Sequence, residues 1–295
     1  MLTARGDRRI GGAQLRWTIA FTQRLWCLGV EREGLVLDTR FIPATQEAER
    51  DRVCLYLLVR GSFEIHGPAA HRFDAPCAFV LSETQIDGAR GVRPLTYRAG
   101  GRPFAAIEIH LRPTDLTSGA GATPTALALD ARSWEHARAI VSAQDVAQVP
   151  MLLGRLAELG IVTMDAAGAA RETSPRAFVA LWDALRPMIE RLYLTPTLQE
   201  IGEATGVSLR QVDRYVQDFV TAFALVGDGW RPTTRFLRLK LAILLSSAEH
   251  ASVGEVARIV GYGSPDAMAR AFRDAGLAPP SVVQERVRAS ARERE

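Results

Sequence analysis

Two hydrophobic rhythms divide the chain. Up to about residue 125 the apolar positions alternate, or come in short runs cut by Gly, Pro, Asp and Ser, which is the mark of strands and turns. "AAIEIHL" alternates most cleanly: Ile107, Ile109 and Leu111 point one way, Glu108 and His110 the other. "VCLYLLVRGSFEIHG" is a run of β-formers broken at Gly61 and closed by Gly67 and Pro68, which predicts a hairpin. "GLVLDTRFI" and "PCAFVLS" add further short strands, and this spacing predicts a sandwich or small barrel. A Gly-, Pro- and Thr-rich stretch at 112–125 marks a boundary or exposed loop. Beyond it the period becomes helical. Ser133 reads as an N-cap, Leu152, Leu156 and Leu159 keep one face, and Ser174 with Pro175 reads as the cap and first-turn proline of a new helix. The expected fold class is α+β in two domains: a β-rich region at 1–130, a helical link at 131–173, and an all-α region at 174–290.

The all-α region spells the same unit twice. "TLQEIGEATGVSLRQVDRYVQDF" (197–219) and "SVGEVARIVGYGSPDAMARAF" (252–272) each give a capped helix, a glycine turn and a second capped helix. Thr197 with Glu200, Ser208 with Gln211, and Ser252 with Glu255 have capping-box spacing, in which a hydroxyl covers an orphan N–H and the later side chain reaches back. Ser264 and Pro265 open the last helix, and Gly206 and Gly261 supply the turns. This is the helix-turn-helix pattern. At about 100° per residue, Val212, Tyr215, Val216 and Phe219 share one side of the second helix, and Arg210, Arg214 and Gln217 the other. The later unit sets Met268, Ala271, Phe272 and Ala275 against Asp266, Arg270 and Arg273. Counted from the caps, Arg210 matches Asp266, Arg214 matches Arg270, and Gln217 matches Arg273. These groups, with Gln211, are able to hydrogen bond a base edge or a phosphate. Between the units, "RPTTRFLRLKLAILLSS" has Pro232 in its first turn and carries Phe236, Leu237, Ile243 and Leu244. It predicts a joining helix of about 15 residues, roughly 22 Å long. Its Arg235, Arg238 and Lys240 read equally as phosphate contacts or as the charged face of a packing helix.

Residues from about 175 to 288 resemble the DNA-binding domain of the AraC/XylS family of bacterial transcription regulators. The later unit carries the resemblance: "VARIVGYGSPDAMARAFRDAGLAPP" has Ala257, Gly261, Tyr262, Pro265, Arg270, Phe272, Gly276 and Pro279 in the family's register. It departs at Ala267 and Met268, where an aromatic pair is usual, and at Asp266, usually a neutral polar position. The turn "ALVGDGWRPTTRF" is also looser than the family's form. The resemblance implies a cytoplasmic, sequence-specific regulator of transcription with no catalytic activity and no cofactor. Its two units would read neighbouring major-groove windows of double-stranded DNA. A cupin-like N-terminal barrel would bind a small-molecule effector, the helices after it would join a homodimer, and RNA polymerase would be a partner if the protein activates.

Composition adjusts this picture only slightly. Hydrophobic residues make up 47% and charged residues 23%, as in a soluble globular chain. No stretch approaches the roughly 18 uncharged apolar residues of a membrane span, and no apolar run follows the N-terminal charges, so no membrane and no secretory signal are expected. Cys27, Cys54 and Cys77 are unclustered, which fits reduced thiols. Net charge is +3, yet residues 190–295 hold 14 Arg/Lys against 13 Asp/Glu, so a nucleic-acid partner is inferred from pattern and not from bulk charge.

In the β-rich region, Glu64 with His66 and Glu108 with His110 each put a carboxylate and an imidazole on one strand face, an oxygen and nitrogen donor set. Phe63, Ile65, Ile107 and Ile109 make the opposite face apolar, which turns the Glu/His face to water, and no metal is expected there. Cys54 reads as inert core filling. Trp17, Trp26, Tyr56 and Phe79 read as core or as the lining of a ligand cavity. Leu152, Leu153, Leu156 and Leu159 fit a partner-helix seam as well as packing within their own domain. Two rival functions stand beside the regulator: a metal-dependent cupin enzyme using those four donors, and a protein-interaction adaptor whose helical units no longer bind DNA.

Overall fold

The computed structural model describes residues 1–43, 52–82, 95–117, 124–191, 194, 196–222 and 230–292. Much of the 112–125 stretch and of the "ALVGDGW" turn lies outside them. The chain forms two compact units, Met1–Gly6 with Arg16–Arg32 and Ala44–Pro175, and Asp7–Leu15 with Glu33–Pro43 and Arg176–Glu295. The fold class is α+β as expected, an antiparallel sheet followed by helices, with the sheet curled into a half-barrel.

The strands are β1 (Leu2–Ile10), β2 (Ala13–Phe21), β3 (Trp26–Glu33), β4 (Leu37–Asp38), β5 (Val53–His66), β6 (His71–Asp74), β7 (Cys77–Ser82), β8 (Thr96–Leu111) and β9 (Ala126–Leu127). The main path through the sheet is β1-β2-β3-β8-β5-β7-β9. At its centre β5 pairs along its length with β8, Cys54 opposite His110 and Glu64 opposite Arg98. The hairpin expected at Gly61 is not there: β5 runs straight through it. Gly61 sits instead in an irregular stretch with register shifts at Leu58/Arg60 and Arg60/Ser62. Its φ is +85°, and a Cβ would come within 2.7 Å of the Gly100 carbonyl oxygen. A glycine in mid-strand marks such a close approach as readily as a turn. The chain reverses after His66, with Ile65 opposite His71 on β6.

Among the described residues, the helices α1 (Ala131–Ser142), α2 (Gln148–Glu158) and α3 (Met164–Ala169) complete the first unit. Leu55, Leu57, Ile107, Ile109 and Leu111 of the sheet share one core with Ile140 of α1 and the leucines of α2. Leu152, Leu153 and Leu156 are each 0% exposed, so that seam is used up inside its own unit. On the other face, Phe63 stacks on Tyr97 at 4.7 Å, and Tyr56 on Phe79 at 5.2 Å. Glu108 and His110 lie on this face beside Tyr56, so the expectation that they meet water fails, whereas Glu64, next to Phe63 and past the two register shifts, lies on the opposite face and is held there by Arg72. Glu64 is 5% exposed, and the side chains of Glu108 and His110 are 14% and 12% exposed. The cap of α1 is Asp130 and not Ser133, whose N–H and Oγ both donate to the Asp130 carboxylate at 2.9 and 2.7 Å. Ser174 does not act as a cap either, since its hydroxyl is buried with no hydrogen bond.

The second unit is helical: α4 (Arg176–Glu190), α5 (Leu198–Thr205), α6 (Leu209–Ala222), α7 (Trp230–Ser246), α8 (Val253–Ile259), α9 (Pro265–Asp274) and α10 (Pro280–Arg292). Trp182 of α4 stacks on Phe219 of α6 at 6.0 Å, with Phe178 edge-on at 5.9 Å. Two N-terminal pieces belong here as well. The Val36 N–H donates to Ser247 Oγ at 2.9 Å, and the buried Asp38 carboxylate accepts from Arg40 at 2.6 Å and from Ser290 at 2.9 Å. Gly11 (φ +51°) lies so close to Ala251 that a Cβ would sit 2.2 Å from its amide nitrogen. Among the described residues no helix is long and apolar enough to cross a membrane.

Candidate nucleic-acid interface

Both repeats fold as two helices about a corner. At the start of α5 the Glu200 N–H donates to Thr197 Oγ1 at 3.1 Å, and the Glu200 carboxylate accepts from the Thr197 N–H at 2.6 Å. At the start of α8, Ser252 and Glu255 exchange the same pair at 3.2 and 2.8 Å. These bonds hold both carboxyls below the usual glutamate range. Gly206 (φ +71°) ends α5 in the left-handed region and Gly261 (φ +80°) follows α8, a backbone that a Cβ would strain. Gly202 lets the corner close, since a Cβ there would press on the Val207 carbonyl oxygen at 3.1 Å. Ala257 holds the matching place in α8 and is buried. The second corner is one residue longer, with Tyr262 and Gly263 before its cap.

The second helices present what the spacing predicts. Val212, Val216 and Phe219 are buried, whereas Arg210, Gln211, Arg214 and Gln217 are exposed on α6. Met268 and Phe272 are buried, whereas Asp266, Arg270 and Arg273 are exposed on α9. Gln211 has a second duty: its amide oxygen accepts from the Ser208 N–H at 3.1 Å and from its hydroxyl at 2.8 Å, which leaves Nε2 to face outward. Leu209, beside Arg210, is 55% exposed and joins a face that polar spacing alone does not assign it to. An apolar first residue on an otherwise polar, exposed face is the signal that marks it.

The joining helix α7 has 17 residues, about 26 Å. Of the cations singled out on it, Arg235 and Arg238 are engaged in packing. Arg235 pairs with Asp274 at 3.6 Å and donates to the Ala271 carbonyl at 3.3 Å. Arg238 lies 5.8 Å from the Tyr262 ring centre, and burial lowers its pKa while raising that of the Tyr262 phenol. Lys240 is half-buried. Between α5, α7 and α9 lies a groove of about 620 Å³ whose walls include Arg231, Arg235, Arg238 and Arg270, with Asp274 the one acid among its described residues. Tyr262 is a motif position in the sequence, but its role against Arg238 needs the packing of α7 on the second unit.

The four candidate metal donors do not converge. Glu64 is held by Arg72 at 3.1 Å, with Arg98 at 3.9 Å, at the far end of β5 from the Glu108–His110 pair. Among the described residues the group that does converge is Cys54, Glu108 and His110, whose donor atoms all lie within 4.8 Å of one another. Burial raises the pKa of the Cys54 thiol, with His110 partly opposing. An apolar run gives Cys54 the look of core filling, and only the β5–β8 register reveals what it faces.

No family model matches the chain, and no curated protein matches it in sequence. Among solved structures, ToxT from Vibrio cholerae O395 is 7% identical, over 89% of this chain and 98% of that one, with a TM-score of 0.35. The AraC-like transcriptional activator CuxR is 12% identical, over 96% and 82%, at 0.25. The Schizosaccharomyces pombe Cnp3 cupin domain is 14% identical over 34% of this chain and 66% of that domain, just under two thirds of its length, at 0.21. Likenesses this distant carry no argument about function.

Proposed function

We propose that this chain is a sequence-specific DNA-binding regulator of transcription, of AraC/XylS type, with no catalytic activity of its own and a small effector held by its first unit. One observation carries the reading: two capped helix-turn-helix units, in one helical body, hold their matched polar positions exposed and bury Val212, Val216, Phe219, Met268 and Phe272. Arg210, Arg214 and Gln217 enter one major-groove window, and Asp266, Arg270 and Arg273 the next. Arginine pairs with guanine and aspartate with the cytosine amino group, and Leu209 rests on a thymine methyl. Arg231, exposed on the wall of the groove, meets the phosphates that cross between the windows, while Arg235 and Arg238 brace the second unit. A homodimer and, for an activator, RNA polymerase complete the partner set. The α2 leucines are spent within their own unit, so the dimer uses another face.

Selection of bound duplex from a random pool tests this. Two spaced half-motifs support it, and a single half-motif retires the second unit as a reader. An adaptor is the second reading, favoured by the near balance of 14 cations and 13 acids in 190–295. It is distinguished by salt, because a DNA binder loses affinity steeply as salt rises and an adaptor has no such affinity to lose.

A further inference from the structure

We infer that the first unit binds one Zn²⁺-class ion through Cys54 Sγ, His110 Nε2 and the Glu108 carboxylate. The register builds the site. Cys54 of β5 and Trp26 of β3 flank His110 of β8 on either side, and Glu108 is two residues away on the same face of β8. Cys54 Sγ is 3.5 Å from His110 Nε2, and Glu108 Oε2 is 3.8 Å from the same nitrogen. A tetrahedral zinc ion with bonds of about 2.0–2.3 Å has ligand-to-ligand edges of roughly 3.3–3.8 Å, so both edges through His110 already stand at coordination spacing, and the Cys54–Glu108 edge is no longer than 4.8 Å. The Trp26 ring stacks on the imidazole at 3.9 Å and 18°, which fixes the plane from which Nε2 points.

A nucleophilic relay does not explain the cluster. Such a relay sets the nucleophile and the orienting acid on opposite imidazole nitrogens, whereas here both approach Nε2. Convergence on one point is what a cation asks for. Sulfur, nitrogen and oxygen donors together select a borderline-soft ion over Mg²⁺ or Ca²⁺. Binding replaces the thiol proton by the metal and releases that proton to solvent. Arg32, 3% exposed and 4.1 Å from the Phe104 ring centre, is a buried cation close enough for its charge to interact with that of Glu108. Three protein donors leave a fourth position for water or an exogenous ligand, as in zinc sites that are not purely structural.

The test uses the full-length chain, stripped with a chelator under reducing conditions and titrated with Co²⁺. The expected result is one equivalent bound, with thiolate-to-cobalt absorption in the near ultraviolet and intense four-coordinate bands in the visible, all discharged by Zn²⁺. Cys54→Ser and His110→Gln remove the near-ultraviolet band, whereas Cys77→Ser, outside the cluster, keeps it. Circular dichroism and the urea midpoint report whether each variant is folded. Native mass spectrometry of the unaltered protein, retaining one zinc per chain, supplies a readout that no substitution can disturb. A six-coordinate cobalt spectrum, a band that survives Cys54→Ser, or failure to retain zinc overturns the site. None of these outcomes depends on whether the second unit reads DNA.

Discussion

The two helix-turn-helix units share a frame and differ in what they present. Both begin with a hydroxyl–glutamate capping box, both turn on a left-handed glycine, and both bury the apolar side of their second helix. The first unit is braced by aromatic stacking from α4 onto Phe219. The second is braced by ion pairing and cation–π contact from α7, through Arg235 to Asp274 and Arg238 to Tyr262. Their outward faces diverge at the first matched position, where Arg210 stands against Asp266. Burial and capping thus repeat where folding demands it, and charge varies on the exposed side, where folding leaves it free.

The largest effect comes from emptying the buried side of both second helices in parallel. Phe219 and Phe272 are 1% and 0% exposed, so Phe219→Ala and Phe272→Ala should each cost about 3–5 kcal/mol in urea denaturation. If the units are cooperatively joined through α7, each substitution lowers the midpoint of a single transition. Separate transitions would show two independent readers. Next come Arg214→Ala and Arg270→Ala, which should each weaken specific duplex binding by about 1–3 kcal/mol and relax base preference at one position. Fluorescence anisotropy and footprinting check this, and an unchanged footprint for Arg270→Ala leaves the first unit as the only reader.

Asp266→Arg makes the second unit resemble the first. Non-specific duplex affinity should rise, the salt dependence should steepen by about one phosphate contact, and the preferred base should move from cytosine to guanine. No change in either salt slope or base preference would place Asp266 away from the groove.

How much of this could be read from the chain follows from the range of each interaction. Caps, glycine corners and apolar faces are local, and Thr197, Gly206, Ser252 and Gly261 announced both units. The strands were visible by alternation, but what alternation cannot show is how far a sheet curls. Hence the Glu108–His110 face was expected in water and lies inside. Gly61 was read as a turn because bulge and turn use the same residue for the same reason. Cys54 gains its meaning only from the strand opposite, 56 residues away. Arg235 and Arg238 likewise belong to packing once α9 and Tyr262 lie beside them.

The smallest effect tests whether the two frames respond alike to acid. Thr197→Ala and Ser252→Ala should each cost about 1 kcal/mol, the usual worth of a cap hydroxyl. The carboxyls that complete those boxes, Glu200 and Glu255, titrate below the ordinary glutamate value because each accepts from a cap N–H. A carboxyl depressed in the folded state contributes stability that is fully present above its unfolded pKa of about 4.3. That contribution fades as pH falls through the lower folded value. The box that opens α6 uses Gln211, an amide, and has nothing to titrate. Helicity followed by circular dichroism from pH 7 to pH 3 should therefore fall less steeply in the Glu200→Gln/Glu255→Gln double variant than in the unaltered chain. Matching acid profiles would mean that the glutamate bonds add nothing to the caps, and the likeness of the two units would then rest on their glycines and buried faces alone.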